Sequence, residues 1–233
     1  MAFILESFQS AFILILRLDR ELLNIMVLSL KVSGSALISA TLIGLPMAAL
    51  LGLTHAPLKG FFLNLMNTCM GLPPVVVGLF IYLILSRSGP LGFMGLLYTP
   101  TAMMTAQFVL ALPIIVALCH SAIVSVDPVI RQAAITLGAT GSQASLTVIA
   151  EARYGIISAI IAGFGRLMAE VGAILIVGGN IAGYTRVMTT TIALEADKGN
   201  FELALALGII LLGMALFVNS MLLIFQRKGI VRK

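Results

Sequence analysis

The sequence predicts an all-α integral membrane protein of about five core transmembrane helices, preceded by an N-terminal helix that is interfacial or a short first span. Three observations predict it. Of 233 residues, 60% are hydrophobic and only 10% charged, whereas a soluble domain carries about 25% charged residues. The apolar residues come in long blocks rather than short periodic faces, so lipid is the solvent for most of the surface. In lipid every backbone polar group must be satisfied within the protein, and a helix does this inside one segment.

The chain divides into an N-terminal amphipathic segment, 1–21, and a membrane domain, 22–233. In the first, Phe3, Ile4, Phe8, Phe12, Ile15 and Leu16 recur at helical spacing with Glu6, Gln9 and Ser10 between them. It lacks the basic start of a cleaved signal peptide. Arg17, Asp19, Arg20 and Glu21 close it in water. Core spans are expected at residues 26–53, 61–85, 101–124, 156–177 and 201–225. His55-Ala56-Pro57 ends the first and Ser86-Arg87-Ser88-Gly89-Pro90 the second. Asp127-Pro128 opens a long connection up to Gly155, and Gly178-Gly179-Asn180 opens another. Loops of such length are uncommon unless functional.

The net charge of +5 is scattered apart from Arg227, Lys228, Arg232 and Lys233, so it is not read as nucleic-acid affinity. A basic tail after an apolar span is a cytoplasmic anchor, which puts the C-terminus inside. Cys69 and Cys119 lie in apolar stretches and read as small hydrophobic filler. His55 and His120 stand apart from other ligand types, so no metal or catalytic role is assigned.

Within the first long connection, Asp127 can cap a helix that has Pro128 in its first turn. The segment Arg131, Gln132, Ala133, Ala134 and onward to Gly138 is polar enough to leave the membrane. Ala134 and Gly138 are four apart and, on one helix, would share a bare face suited to close contact with another protein. An ordinary amphipathic surface helix fits the spacing equally well.

The run RQAAITLGATGSQASLTVIAEARYGI resembles the cytoplasmic signature loop of permeases in binding-protein-dependent ABC importers, with Ala133, Ala134 and Gly138 in register. Gln132 stands where that family has glutamate, and Ala150-Glu151 where Leu-Pro is frequent. The run GRLMAEVGAILIVGGNIAGYTRVMTTTIALE is similar to sulfate, molybdate and tungstate permeases at Arg166, Glu170, Gly172, Gly179-Asn180, Gly183 and Thr185. Its tail looks closest to the tungstate branch, and GLPPVVVGL at 71–79 fits the same family. The resemblance implies the type I importer permease fold, a multi-pass location in a bacterial or archaeal cytoplasmic membrane, and alternating access with no catalysis by this chain. It also implies three partners: a dimer of ABC ATPase subunits docked on residues 131–138, an extracytoplasmic anion-binding protein, and a second permease copy. No G-x-x-x-x-G-K-[ST] phosphate loop is present. The resemblance implies that ATP is hydrolysed by a separate subunit, and no cofactor is expected on this chain.

Candidate pathway residues carry two readings each. Arg166 and Glu170, four apart in the fourth span, form an internal salt bridge, or Arg166 attracts a dianion that Glu170 opposes. Pro73 and Pro74 bend a helix at the pathway or mark a packing irregularity. Asn180, Thr185, Arg186 and Thr189, with Thr190 and Thr191, line an outer anion path or form a solvated loop. Molybdate and sulfate permeases are the nearest alternatives to a tungstate permease. A passive anion channel is another, separated by the ATP dependence of uptake. A membrane enzyme would need a Ser/His, paired-Asp or metal constellation, and the spans contain none.

Overall fold

The computed structural model describes residues 9, 13, 16, 19–54 and 58–230, with side chains up to 226. The expected amphipathic character of most of 1–21, the break at His55-Ala56-Pro57 and the basic C-terminal residues lie outside the described part. The described residues form ten α-helices in addition to the isolated N-terminal positions, and no strand.

Three single helices are long and apolar enough to cross a membrane. The first, α1, covers Arg20–Leu53 and starts before residue 26 because Asp19 caps it, its carboxylate accepting from the Glu21 and Leu22 amides at 2.8 and 3.3 Å. Its 34 residues extend about 50 Å. The third expected span is α4, Pro100–Val124, and the fifth is α10, Phe201–Ile230. Helices α1 and α4 pack along most of their length through small residues: Ala36, Ala40 and Ala48 meet Ala111, Ile115 and Cys119. Without a hydrophobic force between helices in lipid, such close backbone approach is what binds them.

The other two expected spans are broken. Residues 61–85 form α2, Lys59–Met70, and α3, Pro74–Leu85, which meet at 100°. Pro73 is held extended by the proline after it, and neither proline has an N–H to continue a helix. The bend expected at Pro73-Pro74 is therefore present and sharp. Residues 156–177 were expected to be one helix. They are instead the end of α7, Arg153–Met168, then a break at 169–171, then α8, Gly172–Gly178. Counted with the two bent pairs, the spans number up to five, but the fourth span is then α7 with α6, Gly141–Glu151, bent by 59°. Between α4 and α6 lies α5, Pro128–Thr136, and between α8 and α10 lies α9, Met188–Asp197. Large apolar side chains face outward all along the spans, Phe80 and Phe217 being over 60% exposed. That surface suits lipid or a neighbouring helix, not water.

Candidate functional site

The connection between α4 and α7 is a helical hairpin whose every junction has a local cause. The Val129 amide donates to the Asp127 carboxylate at 2.9 Å, so Asp127 caps α5 as its position before Pro128 requires. The helix ends in a Schellman motif: the Gly138 amide donates to the Ile135 carbonyl at 2.9 Å and the Ala139 amide to the Ala134 carbonyl at 3.0 Å. This needs a left-handed residue at 138, and Gly138 has φ +92. Two residues on, Thr140 and Gln143 form a capping box that starts α6. Gly138 thus lies beyond the last residue of α5 and does not share a helix face with Ala134. A Cβ placed on it would meet nothing within 4 Å, so glycine serves the backbone there rather than close packing.

What the two residues do share is an open groove of about 630 Å³, lined by Ile130, Ala133, Ala134, Leu137, Gly138 and Gln143 among others. None of the side chains of α5 is buried, Arg131 and Gln132 face outward, and Leu137 is 88% exposed. The hairpin is anchored to the core through Val148 of α6, and its α5 side presents an open surface among the described residues.

The second cluster surrounds the break at 169–171, about 24 Å along α7 from its start at Arg153. Arg166 and Glu170 do form the expected pair, Nη1 to Oε2 at 3.3 Å. The pair does not sit inside one helix, however. Arg166 is in the last turn of α7, and Glu170 uses its other oxygen to accept from the Ala173 amide at 3.1 Å, capping α8. The Glu170 side chain is 4% exposed and that of Arg166 is 49% exposed. Side chains far away in sequence stitch the same break. Gln107 Nε2 donates to the Leu167 carbonyl at 3.1 Å, and the Thr189 hydroxyl donates to the Glu170 carbonyl at 2.7 Å. The Met188 amide donates to Ser29 Oγ at 2.8 Å. Gln107 Oε1 is buried with no partner.

The proline bend comes to the same place. A Cβ on Gly78 of α3 would lie 2.7 Å from Ala173 Cα, and one on Gly172 would lie 2.6 Å from Val75 Cγ2. Helices α3 and α8, each beginning at a break, are therefore in direct backbone contact. Pro73, Pro74, Arg166 and Glu170 all bear on this junction.

The threonines after α8 are buried, although residues 181–184 before them are exposed. Thr185 is fully buried, its hydroxyl donating to the Gly178 carbonyl at 2.6 Å and accepting from the Ile181 amide at 2.9 Å. Thr190 is paired with Asn180 Oδ1 at 2.9 Å, and Thr191 donates to the Val187 carbonyl at 2.6 Å. Asn180 itself adopts φ +49, a region that asparagine tolerates better than most residues. The hydroxyls expected to be offered to an anion are engaged with backbone. Arg186 stands apart from the break, 3.5 Å from Glu21 at the start of α1, with its Nε buried and unpartnered.

Sequence reading passed over Ser29, Gln107 and Glu195. Gln107 was detectable, since an amide inside an apolar span demands a partner. Glu195 of α9 is buried and accepts from Lys198 Nζ and Asn200 Nδ2, both at 2.9 Å. The Lys198 contact above all, with help from Asn200, holds its carboxyl below the ordinary range against the opposing effect of burial.

Known proteins share this architecture and its sequence. A probable anion ABC transporter permease of Haloferax volcanii is 45% identical over 205 residues, 86% of this chain and 88% of that one. A tungstate uptake system permease of Peptoclostridium acidaminophilum is 37% identical over 98% of this chain and 100% of its own length. A molybdenum transport permease of Azotobacter vinelandii is more distant, 30% identical over 71% of this chain and 76% of that one. Among solved structures, that of an amino acid ABC transporter superposes with a TM-score of 0.70 at 21% identity, covering 93% of this chain and 98% of that one, which supports the fold alone. The family of binding-protein-dependent transport system inner membrane components matches residues 40–230, and the chain belongs to that family.

Proposed function

We propose that this chain is the permease subunit of an ATP-driven importer that carries tungstate, a tetrahedral oxyanion, across the cytoplasmic membrane. The observation that carries the reading is the likeness to a tungstate permease along 98% of this chain and the whole of its relative. An ATPase subunit docks in the groove between α5 and α6 and hydrolyses the ATP. An extracytoplasmic protein delivers the anion, and two copies of the chain enclose one path with their C-termini inside. The junction of α3 and α8 lies on that path, with Arg166 as the cation the anion meets there.

Deleting the gene tests this. Tungstate accumulation from low external concentration should fall to background and return on complementation, while amino-acid uptake is unchanged. Undiminished tungstate accumulation refutes the reading. Loss of molybdate uptake with tungstate uptake intact reassigns the substrate within the family. In vesicles, uptake that persists without ATP identifies a passive channel.

A further inference from the structure

Arg166 is half-exposed in the last turn of α7, beside the break at 169–171. A guanidinium facing hydrocarbon is strongly disfavoured, so the exposed side of Arg166 faces water or protein. It is also the only lysine or arginine between Arg153 and Arg186.

Its partner has the opposite character. The Glu170 carboxylate is 4% exposed and its two oxygens have different attachments. Oε1 is held by the Ala173 amide at 3.1 Å, and Oε2 has Arg166 at 3.3 Å. The Arg166 contact is long for a bond between charged groups, which usually closes to about 2.7–2.9 Å. Arg166 has five N–H donors, and Glu170 occupies one of them in the structure.

We propose that Glu170 is a resident competitor that clears the permeating anion from Arg166. This rests on the oxyanion reading above. An arriving dianion accepts from the exposed donors of Arg166 and draws the guanidinium away from Oε2. Glu170 cannot follow, because Oε1 is fixed at the start of α8, and the buried Oε2 is left without a cation. An unpaired charge in so buried a place is costly, so Arg166 is pulled back and the anion is released. The pair thereby makes a site that an oxyanion visits and leaves. Binding of tungstate to the permease itself is kept weak for the sake of passage.

The test uses the permease assembled with its ATPase in nanodiscs, without binding protein, and measures retained tungstate by equilibrium dialysis and elemental analysis. Glu170→Gln keeps an acceptor for the Ala173 amide but removes the competing charge. It should bind tungstate about tenfold or more tighter than the unaltered complex. Adding Arg166→Gln to it should abolish the gain. Equal retention by Glu170→Gln and the unaltered complex overturns the proposal, as does a gain that survives in the double variant. Arg166→Lys retains a cation for Glu170 but loses the planar fork for an oxyanion. It should slow ATP-driven uptake at least about threefold, and undiminished uptake counts against the proposal even if Glu170→Gln fails to assemble. Uptake by the unaltered system with binding protein is measured in parallel. Its absence condemns the tungstate reading, whereas its presence without a Glu170→Gln gain condemns only the competitor.

Discussion

Replacing Gly138 by alanine isolates the backbone requirement of the hairpin from its surface chemistry. A Cβ there meets nothing within 4 Å, so no packing is disturbed. The cost comes from φ +92, where an L side chain is strained by about 1–2 kcal/mol. If the ATPase subunit recognises the groove between α5 and α6 as it stands, docking requires that geometry. A strain of about 1–2 kcal/mol then lowers the ratio of competent to distorted hairpins by about 5–30-fold, which sets the upper limit on the loss of apparent affinity. Gly141→Ala is the matched control. It also has open space around it, but its φ is ordinary and it begins α6, so alanine there should be neutral or slightly stabilising. The assay is titration of purified ATPase subunit onto the permease in nanodiscs, with membrane insertion checked separately. Equal affinities for the two variants would refute the reasoning, showing either that the turn is not strained by a side chain or that the hairpin is not the contact.

Other outcomes follow from the break at 169–171. Arg166→Ala leaves the buried Glu170 without its half-exposed cation and should lower stability by about 1–3 kcal/mol. Adding Glu170→Ala should recover part of that loss, and calorimetry showing none would remove the pair from any structural role. Thr185→Val strands the buried Gly178 carbonyl and the partly buried Ile181 amide. It should cost about 1–3 kcal/mol in stability without changing tungstate selectivity, and a changed preference among oxyanions at full stability would contradict the assignment. The Glu195 carboxyl is held below its ordinary 4.5, so its contribution is complete above that value and lost as pH falls through the lower folded value. Melting curves should therefore separate the protein from Glu195→Gln at pH 7 and bring them together in strong acid. A gap that widens on acidification has the wrong sign.

The long helices and the start of α5 were legible because their causes are local. Apolar length marks α1, α4 and α10, and the order Asp127-Pro128 supplies a cap and a first turn. Pro73-Pro74 marked its bend because proline removes donors wherever it stands. The break at 169–171 was hidden because no proline or glycine pair announces it. It is held by Gln107, 60 residues away from Leu167, and by Thr189, 19 residues away from Glu170, and partners so remote leave no pattern in a window. Thr189 looked available for an anion for the same reason, and Thr185 because a turn that folds back on Gly178 and Ile181 has no periodic signature. The role of Gly138 was misread for a different reason: spacing places residues on a helix only while the helix lasts, and α5 ends at Thr136.

The seven residues of α8 extend about 10 Å, a third of the hydrocarbon thickness. Such a segment has no means of entering the bilayer by its own hydrophobicity, since the interrupted backbone on either side would carry bare amides and carbonyls into lipid. At its two flanks the Leu167 carbonyl and the Met188 amide are satisfied by Gln107 of α4 and Ser29 of α1. Biogenesis is thereby ordered: the long helices must be inserted and paired before the chain between Met168 and Met188 has anywhere to settle.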